Sequence, residues 1–373
     1  MKEIIKKWLD QYFGTEEAIL LTLILVLSLI VIVTLGSVLA PVLAALIFAF
    51  LLQGVINSLE RRGVPRVLAL GGVYLLFIFV FVSVIVGLVP IIGRQTSLMI
   101  AELPSMIGAL RDVLSDLPEQ YSEYISPEQF QLIWNRVNEE VGRLAEQVLS
   151  FSLSSFPSLL LLMVYLILVP LLVFFMLHDK EELMQFFSGL LPQKRSVMKA
   201  IWIEMDMQFS NYIRGKAIEI LIVGAVSYVA FLILDLNYAA LLAVLVGLSV
   251  LIPYIGATVV TLPVLLVGYV QWGFSSDFFW LFGVYGVIQF LDGNLLVPLL
   301  FSEVVNLHPV AIIIAVLLFG GIWGFWGVFF AIPLATMVKA IYNAWPRKGR
   351  QPILVEQADA EQMPIDQQEN DSC

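Results

Sequence analysis

Charge is what this sequence has least of. Asp, Glu, Lys and Arg together make up 13% of its 373 residues, while 60% are hydrophobic. Soluble domains carry about 25% charged residues, so an ordinary soluble globular chain is excluded. Cysteine is nearly absent as well. Cys373 is the single one, which rules out an intramolecular disulfide framework, a cysteine zinc site or an iron–sulfur cluster. His178 and His308 are the only histidines. No metal-ligand cluster, glycine-rich phosphate loop ahead of a lysine, or Ser-His-Asp set is present, so the sequence predicts no enzyme, no cofactor and no metal. No nucleic-acid partner is expected.

What is present are long apolar runs. Several reach the ~18 to 20 residues that cross a hydrocarbon core about 30 Å thick. The class predicted is all-α: a polytopic membrane protein of about eight transmembrane helices in a lipid bilayer. An amphipathic leader, residues 1–17, precedes three spans within 18–93. The first run lacks a small-residue cleavage site, which argues against a removable signal peptide. Loop LERRGVPR carries Arg61, Arg62 and Arg66, and short basic loops stay cytoplasmic. Residues 94–150 hold Arg94, Arg111, Arg136 and Arg143 against nine acids, the opposite bias, and read as a helical periplasmic region. Within it, Ser126-Pro127-Glu128 is a helix start with a cap, an N1 proline and a first-turn acid. A helical stripe follows through Phe130, Ile133, Trp134, Val137, Val141, Leu144 and Val148.

A fourth span covers 151–177, with bends expected at Pro157 and Pro170. The polar stretch 178–216 returns to the cytoplasm, with Asp179 and Glu182 as an acidic capping box. Spans five to eight occupy 217–344 and contain broken segments. Lys339, Arg347, Lys348 and Arg350 place the C-terminus inside, as Lys2, Lys6 and Lys7 do the N-terminus. The tail, 345–373, lacks apolar periodicity and is expected to be disordered.

From Ala217 to Val338 there is no lysine or arginine, yet five acids: Glu219, Asp235, Asp277, Asp292 and Glu303. Asp235, Asp277 and Glu303 fit turns and connections. Asp292 and Glu219 do not. A central aspartate costs about 2.5 to 3.5 kcal/mol on insertion, and each Leu, Ile, Val or Phe returns about 0.3 to 0.6. Fifteen such residues between Phe278 and Phe301 carry Asp292 into the membrane without satisfying its carboxylate. It must be protonated, hydrated, or paired with a base from elsewhere. Gly293 and Pro298 weaken the helix on either side of Asn294, and irregular backbone at membrane depth marks a cavity, while Asp292-Gly293-Asn294 could equally be turn residues near the surface.

Pro253, Tyr254 and Gly256 make a second break in the long run 238–272. That run and 278–301 fit either full spans or re-entrant hairpins. In FGGIWGFWGVFFAIP, Gly320, Gly321, Gly324 and Gly327 offer a side-chain-free groove for helix packing. His308-Pro309 opens the last span, where a lone histidine caps a helix or titrates near neutrality.

The elements PYIG, DGN-xxxP, LHP and GxxGxxG occur in that order between RGKAIEILIVGAVSYVAF and AIPLATMVKAI. On these the chain resembles the autoinducer-2 exporter-like family of bacterial permeases, in particular its PerM-like branch, over about Thr15 to Pro346. The resemblance implies an inner-membrane homo-oligomer, a pentamer by family likeness, that moves a small solute. Family members are linked to autoinducer-2 export and to sodium–proton exchange. Carried across, the motif positions are Pro253, Tyr254, Gly256, Asp292, Asn294, Pro298, His308, Pro309, Gly324 and Gly327. The function expected is secondary or facilitative transport of a small organic molecule, with cation–proton antiport and a scaffold for an envelope partner as the alternatives.

Overall fold

The computed structural model describes residues 16–36, 38–115, 127–153, 155–189, 196–253, 255–301 and 307–345. The leader up to residue 15, Ser126, Tyr254, Glu303 and the tail beyond Trp345 lie outside them. Among the described residues the structure is helical and contains no strand.

The first described helices are α1 (Glu16–Leu35) and α2 (Ala40–Arg61). α3 (Arg66–Ser83) continues through a π-helical turn, Val84–Leu88, into α4 (Val89–Leu114). The continuous apolar stretch Arg66–Arg111 is 46 residues, roughly 70 Å at 1.5 Å per residue. It therefore extends well beyond a hydrocarbon core. α5 (Pro127–Leu153) packs back on α4. Its first residue is the proline expected at N1, and Trp134 is buried while Ile133 and Val137 stay exposed.

α6 (Ser155–His178) packs along α2 and α3, and Tyr74 Oη donates to the Pro170 carbonyl at 3.2 Å. An 82° bend separates it from α7 (Lys180–Gly189). Glu181 of α7 pairs with Arg66 at 2.7 Å, which keeps the two basic connections at one end of the molecule.

α8 (Ser196–Ile233) is a single 38-residue helix. The boundary at 216/217 read from composition is therefore not a structural one. The apolar run begins inside a helix that has already made three turns or more.

The second half is built on α8. α9 (Ala239–Ser249) is 11 residues, about 16 Å, half of a hydrocarbon core. After Pro253 the chain reverses into α10 (Ile255–Trp272). Val260, Val264 and Val267 of α10 share one apolar cluster with Val246, Leu242 and Ala239 of α9. At the open end, Asn237 N donates to Gln271 Oε1 at 2.8 Å, and Gln271 Nε2 to the Asp235 carbonyl at 2.7 Å. This is a helical hairpin with both ends at one end of α8. Segment 238–272 is therefore a hairpin in shape, not one bent rod.

α11 (Ser276–Leu291) starts from a Ser275 cap and runs antiparallel to α10. A π-helical turn, Asp292–Leu296, carries it into α12 (Val297–Phe301). The break expected around Gly293 and Pro298 is thus a π-turn within a continuous helix. Segment 278–301 runs through instead of turning back.

The last stretch, read from sequence as one crossing, also reverses. α13 (Pro309–Phe329) is interrupted at Gly324, with φ 61° and ψ −134°, a backbone region essentially confined to glycine. The chain then returns through Phe330 into α14 (Ala331–Ala344). Val316 packs on Ala331 and Phe319 lies beside Val328. Met337, Ile341 and Trp345 reach Ile201 and Met205, at the opposite end of α8 from Asp235, and Leu21 of α1 joins them there.

Candidate functional site

Two hairpins thus enter from opposite ends of α8, and their tips meet beside its middle. Leu251 at the first tip packs with Phe301, Ile312 and Phe329, and Ile252 with Ala315 and Ala331. Gly256 makes the first turn possible. A Cβ there would collide with the Ser249 carbonyl oxygen. Gly327 has the same role at the second turn, against the Phe319 carbonyl. The first hairpin sits close on α8 because both helices are bare at the crossing: a Cβ on Gly247 would come 3.0 Å from the Ile220 carbonyl oxygen and 3.1 Å from Gly224 Cα.

α8 holds each hairpin with one side chain. Tyr212 Oη donates to the Phe329 carbonyl at 2.8 Å. One turn on, Lys216 Nζ donates to the Val250 carbonyl at 2.8 Å. Residues at i and i+4 share a helix face, so one stripe of α8 reaches both tips. The Val250 carbonyl lies at the C-terminal end of α9, where the helix dipole leaves partial negative charge and an ammonium is favoured.

Lys216 has two further contacts. Its Nζ lies 2.7 Å from Glu219 Oε2 and 5.0 Å from the ring centroid of Phe301. Gly215 leaves room for that ring, since a Cβ there would lie 2.6 Å from its Cε1. Lys216 and Glu219 are both buried, at 4% and 1% exposure. Asp292, on the π-turn facing α8, is buried too, at 8%. It is within electrostatic range of Lys216 and of Glu219. Its Oδ1 is buried and has no hydrogen-bond partner among the described residues.

The site therefore gathers two carboxylates and one ammonium away from water. If all three are ionised, one negative charge is left over. Isolated charge in a low-dielectric interior is costly, so this surplus calls for a proton or a cation. The lining also explains why the charges are tolerated: a π-turn, a hairpin tip and a helix end each supply backbone polarity at that depth.

Of the residues singled out by sequence, Asp292 and Glu219 are brought together here, with Pro253 and Gly256 at the adjoining tip. Asn294 and Gly293 share the π-turn with Asp292, and Pro298 follows it in α12, but all three face outward and are exposed. Asn294 Nδ2 is occupied by its own helix, donating to the Phe290 carbonyl at 2.9 Å. His308 and Pro309 are exposed at the start of α13, where His308 Nδ1 accepts from Val310 N at 3.3 Å. That is the cap. Gly320, Gly324 and Gly327 serve the chain's own reversal instead of docking another helix. A Cβ on Gly321 would meet nothing within 4 Å.

Two functional residues escaped the sequence reading. Lys216 lies one residue before the cation-free window that begins at Ala217, and its i,i+3 spacing to Glu219 was the available signal. Tyr212, in a stretch assigned to the cytoplasm, had no such signal.

The α4 extension braces the first hairpin from outside. Gln95 Oε1 accepts from Leu241 N at 2.8 Å, covering an unpaired amide of the first turn of α9. Near it, Tyr238 sits in the turn before α9, where burial and the Glu102 carboxylate push its phenol up to about 12. It stays a neutral donor across the physiological range.

A family model described as AI-2E family transporter matches residues 19–347. The chain is 43% identical over 346 residues to a protein of Escherichia coli strain K12 described as a permease, PerM, covering 93% of this chain and 98% of that one. It is 29% identical over 325 residues to the transport protein described as YueF of Bacillus subtilis strain 168, covering 83% and 85%. A transport protein of Thermotoga maritima is 25% identical over 340 residues, with 87% and 94% covered.

Proposed function

Because the chain belongs to the AI-2E transporter family, we propose that it is an inner-membrane permease for a small organic solute, working by a secondary or facilitative mechanism. The two hairpins act as opposed gates around Lys216, Glu219 and Asp292. The observation that carries this reading is the meeting of two helical hairpins, entering from opposite ends, at one buried charge cluster. Hairpin tips packed on each other close the path. Parting either tip opens it toward one side only, since the other stays anchored to α8. Releasing the first tip breaks the bond from Lys216 to the Val250 carbonyl, a charged hydrogen bond of about 1.5 to 3 kcal/mol. Such a cost is small enough for solute binding to overcome.

Asp292 is the coupling group in this reading. With it ionised, the cluster carries the surplus negative charge. A proton there removes the surplus and frees Lys216 to stay with Glu219 and the tip. Comparing metabolites in vesicles with and without the protein identifies the solute. Flux of that solute in proteoliposomes then tests the role: Asp292→Asn is expected to remove the dependence on a pH gradient, and flux unchanged from wild type at every pH would sink it.

Cation–proton antiport is the second reading, favoured by the same leftover charge, which a monovalent cation could balance as well as a proton. It predicts activity that follows sodium or potassium gradients in inverted vesicles, and none seen there removes it. The orientation proposed has both termini cytoplasmic. Leu21, Ile341 and Trp345 meeting at one end of α8, together with Arg61, Arg62 and Arg66 at the end of α2 and the start of α3, support it. A homo-oligomer, a pentamer by family likeness, is the assembly proposed.

A further inference from the structure

We propose that Gln208 and Ser227 of α8 line the solute path, one behind each gate, and meet water or polar groups of the solute only when the hairpin on their side parts. The proposal rests on the two-gate reading above and adds to it the wall that each opening uncovers. Four buried side-chain polar atoms have no hydrogen-bond partner among the described residues: Gln208 Oε1, Ser227 Oγ, Asp292 Oδ1 and Trp323 Nε1. Native interiors leave few such atoms, and each calls for a reason. Here Asp292 belongs to the charge cluster, and Trp323 stands at the second tip, stacked near Phe330. Gln208 and Ser227 lie on α8, on either side of that cluster.

Their neighbours fix which hairpin each one faces. Gln208 lies between Met205 and Tyr212 on one side of the helix. Met205 packs with Met337 and Ile341 of α14, and Tyr212 is bonded to the Phe329 carbonyl, so Gln208 faces the second hairpin. Ser227 is 0% exposed. One turn away in either direction are Val223 and Phe231, which share a cluster with Val246 of α9 and Val264 of α10, so Ser227 faces the first hairpin. That half holds a further hydroxyl pair, with Tyr285 Oη of α11 and Thr261 Oγ1 of α10 3.2 Å apart. Thr261 donates to the Ala257 carbonyl, so Tyr285 is the donor to Thr261. Movement of α10 breaks this bond as it uncovers Ser227.

Packing alone needs neither polar group. Leucine or methionine would fill the place of Gln208, and alanine would keep the small size of Ser227, with no orphaned oxygen in either case. A group that is covered in the closed arrangement and wetted in the open one accounts for both the polar atom and its missing partner. Neutral amide and hydroxyl groups suit such alternation, because covering them costs far less than covering a charge.

Cysteines introduced one at a time into the full chain, in a Cys373→Ser background, test this with a small membrane-impermeant cationic methanethiosulfonate on right-side-out and inverted vesicles. Thiol reaction tracks the population in which the site is open, and Ser227→Cys is expected to react about tenfold faster when Gly256→Ala opens the first hairpin. Tyr212→Phe, which frees the second tip, should leave it unchanged. Gln208→Cys is expected to show the reverse pattern, and the two should react from opposite sides of the membrane. Where Gly256→Ala is not monodisperse, Lys216→Met cuts the bond to the Val250 carbonyl and is read in its place. Ile252→Cys, between the tips, reports the gates themselves. If it accelerates in both backgrounds while Ser227→Cys and Gln208→Cys stay unreactive, the gates stand and this proposal is overturned. If Ile252→Cys fails to respond as well, the two-gate reading falls and the proposal falls with it. Reaction of both cysteines from the same side also overturns it.

Discussion

Lys216 is bonded to a carboxylate and a hairpin carbonyl and lies against an aromatic face, each on a different segment of the fold. A buried pair of this kind is strongly destabilising to break from one side, by about 3 to 5 kcal/mol, because the remaining charge is left uncompensated. Lys216→Met is therefore expected to lower stability by that order in detergent. Replacing both partners, Lys216→Met with Glu219→Leu, should cost less than the sum of the single changes, since the surplus stays at the one negative charge that the intact cluster already carries, on Asp292. Thermal unfolding followed by circular dichroism reads the cycle. Additive losses would show that the two side chains do not act as a pair. This pair was half legible in the sequence. Glu219 stands out as an acid in an apolar run, but its partner falls just outside the run, among residues whose composition suggests a loop. Asp292 was legible as an anomaly. Its link to Lys216 was not, because 76 residues separate them and nothing in local pattern encodes that approach.

Glycines decide the elements of the second half, and they are not equivalent. Gly256→Ala and Gly327→Ala place a methyl against a backbone carbonyl that has no freedom to move. Each is expected to open its hairpin and cost about 2 kcal/mol or more, at the overpacking end of core substitutions. Gly321→Ala meets nothing within 4 Å and should be neutral or slightly stabilising, by up to about 1 kcal/mol of helix propensity. Equal behaviour of the three in a thermal shift series would contradict the hairpin geometry. Gly321 and Gly327, with Gly320 and Gly324, were visible as a spacing pattern suited to helix packing, and Gly256 as part of a break with Pro253. That pattern could not reveal the positive φ at Gly324, which turns the same glycines from a groove for a neighbour into a reversal of their own chain.

The hairpins also set the shape of the whole molecule. If 238–272 crossed the membrane, its ends would be about 30 Å apart. Instead Asn237 and Gln271 are hydrogen-bonded. In a Cys373→Ser background, cysteines at 237 and 271 are expected to cross-link readily under mild oxidation and to react with an impermeant maleimide from the same side. Labelling from opposite sides would return this segment to a span. Among the described residues, seven helices are long and apolar enough to cross a membrane, or eight with the bent pair at His178, so length alone does not reveal which of them turn back.

Composition and periodicity by themselves determined the all-helical class, the membrane setting, the helical start at Pro127, and the odd carboxylates Glu219 and Asp292. Each of these follows from local free energies: transfer of apolar side chains, caps, and the cost of a charge in hydrocarbon. The tertiary structure decided that 238–272 and 309–344 reverse, that Asp292 faces inward while Asn294 faces out, and that Lys216 and Tyr212 hold the two tips from one stripe of α8. Apolar length is the same for a span and for a hairpin buried in protein. Only contacts between distant segments, glycine on carbonyl and ammonium on helix end, distinguish the two.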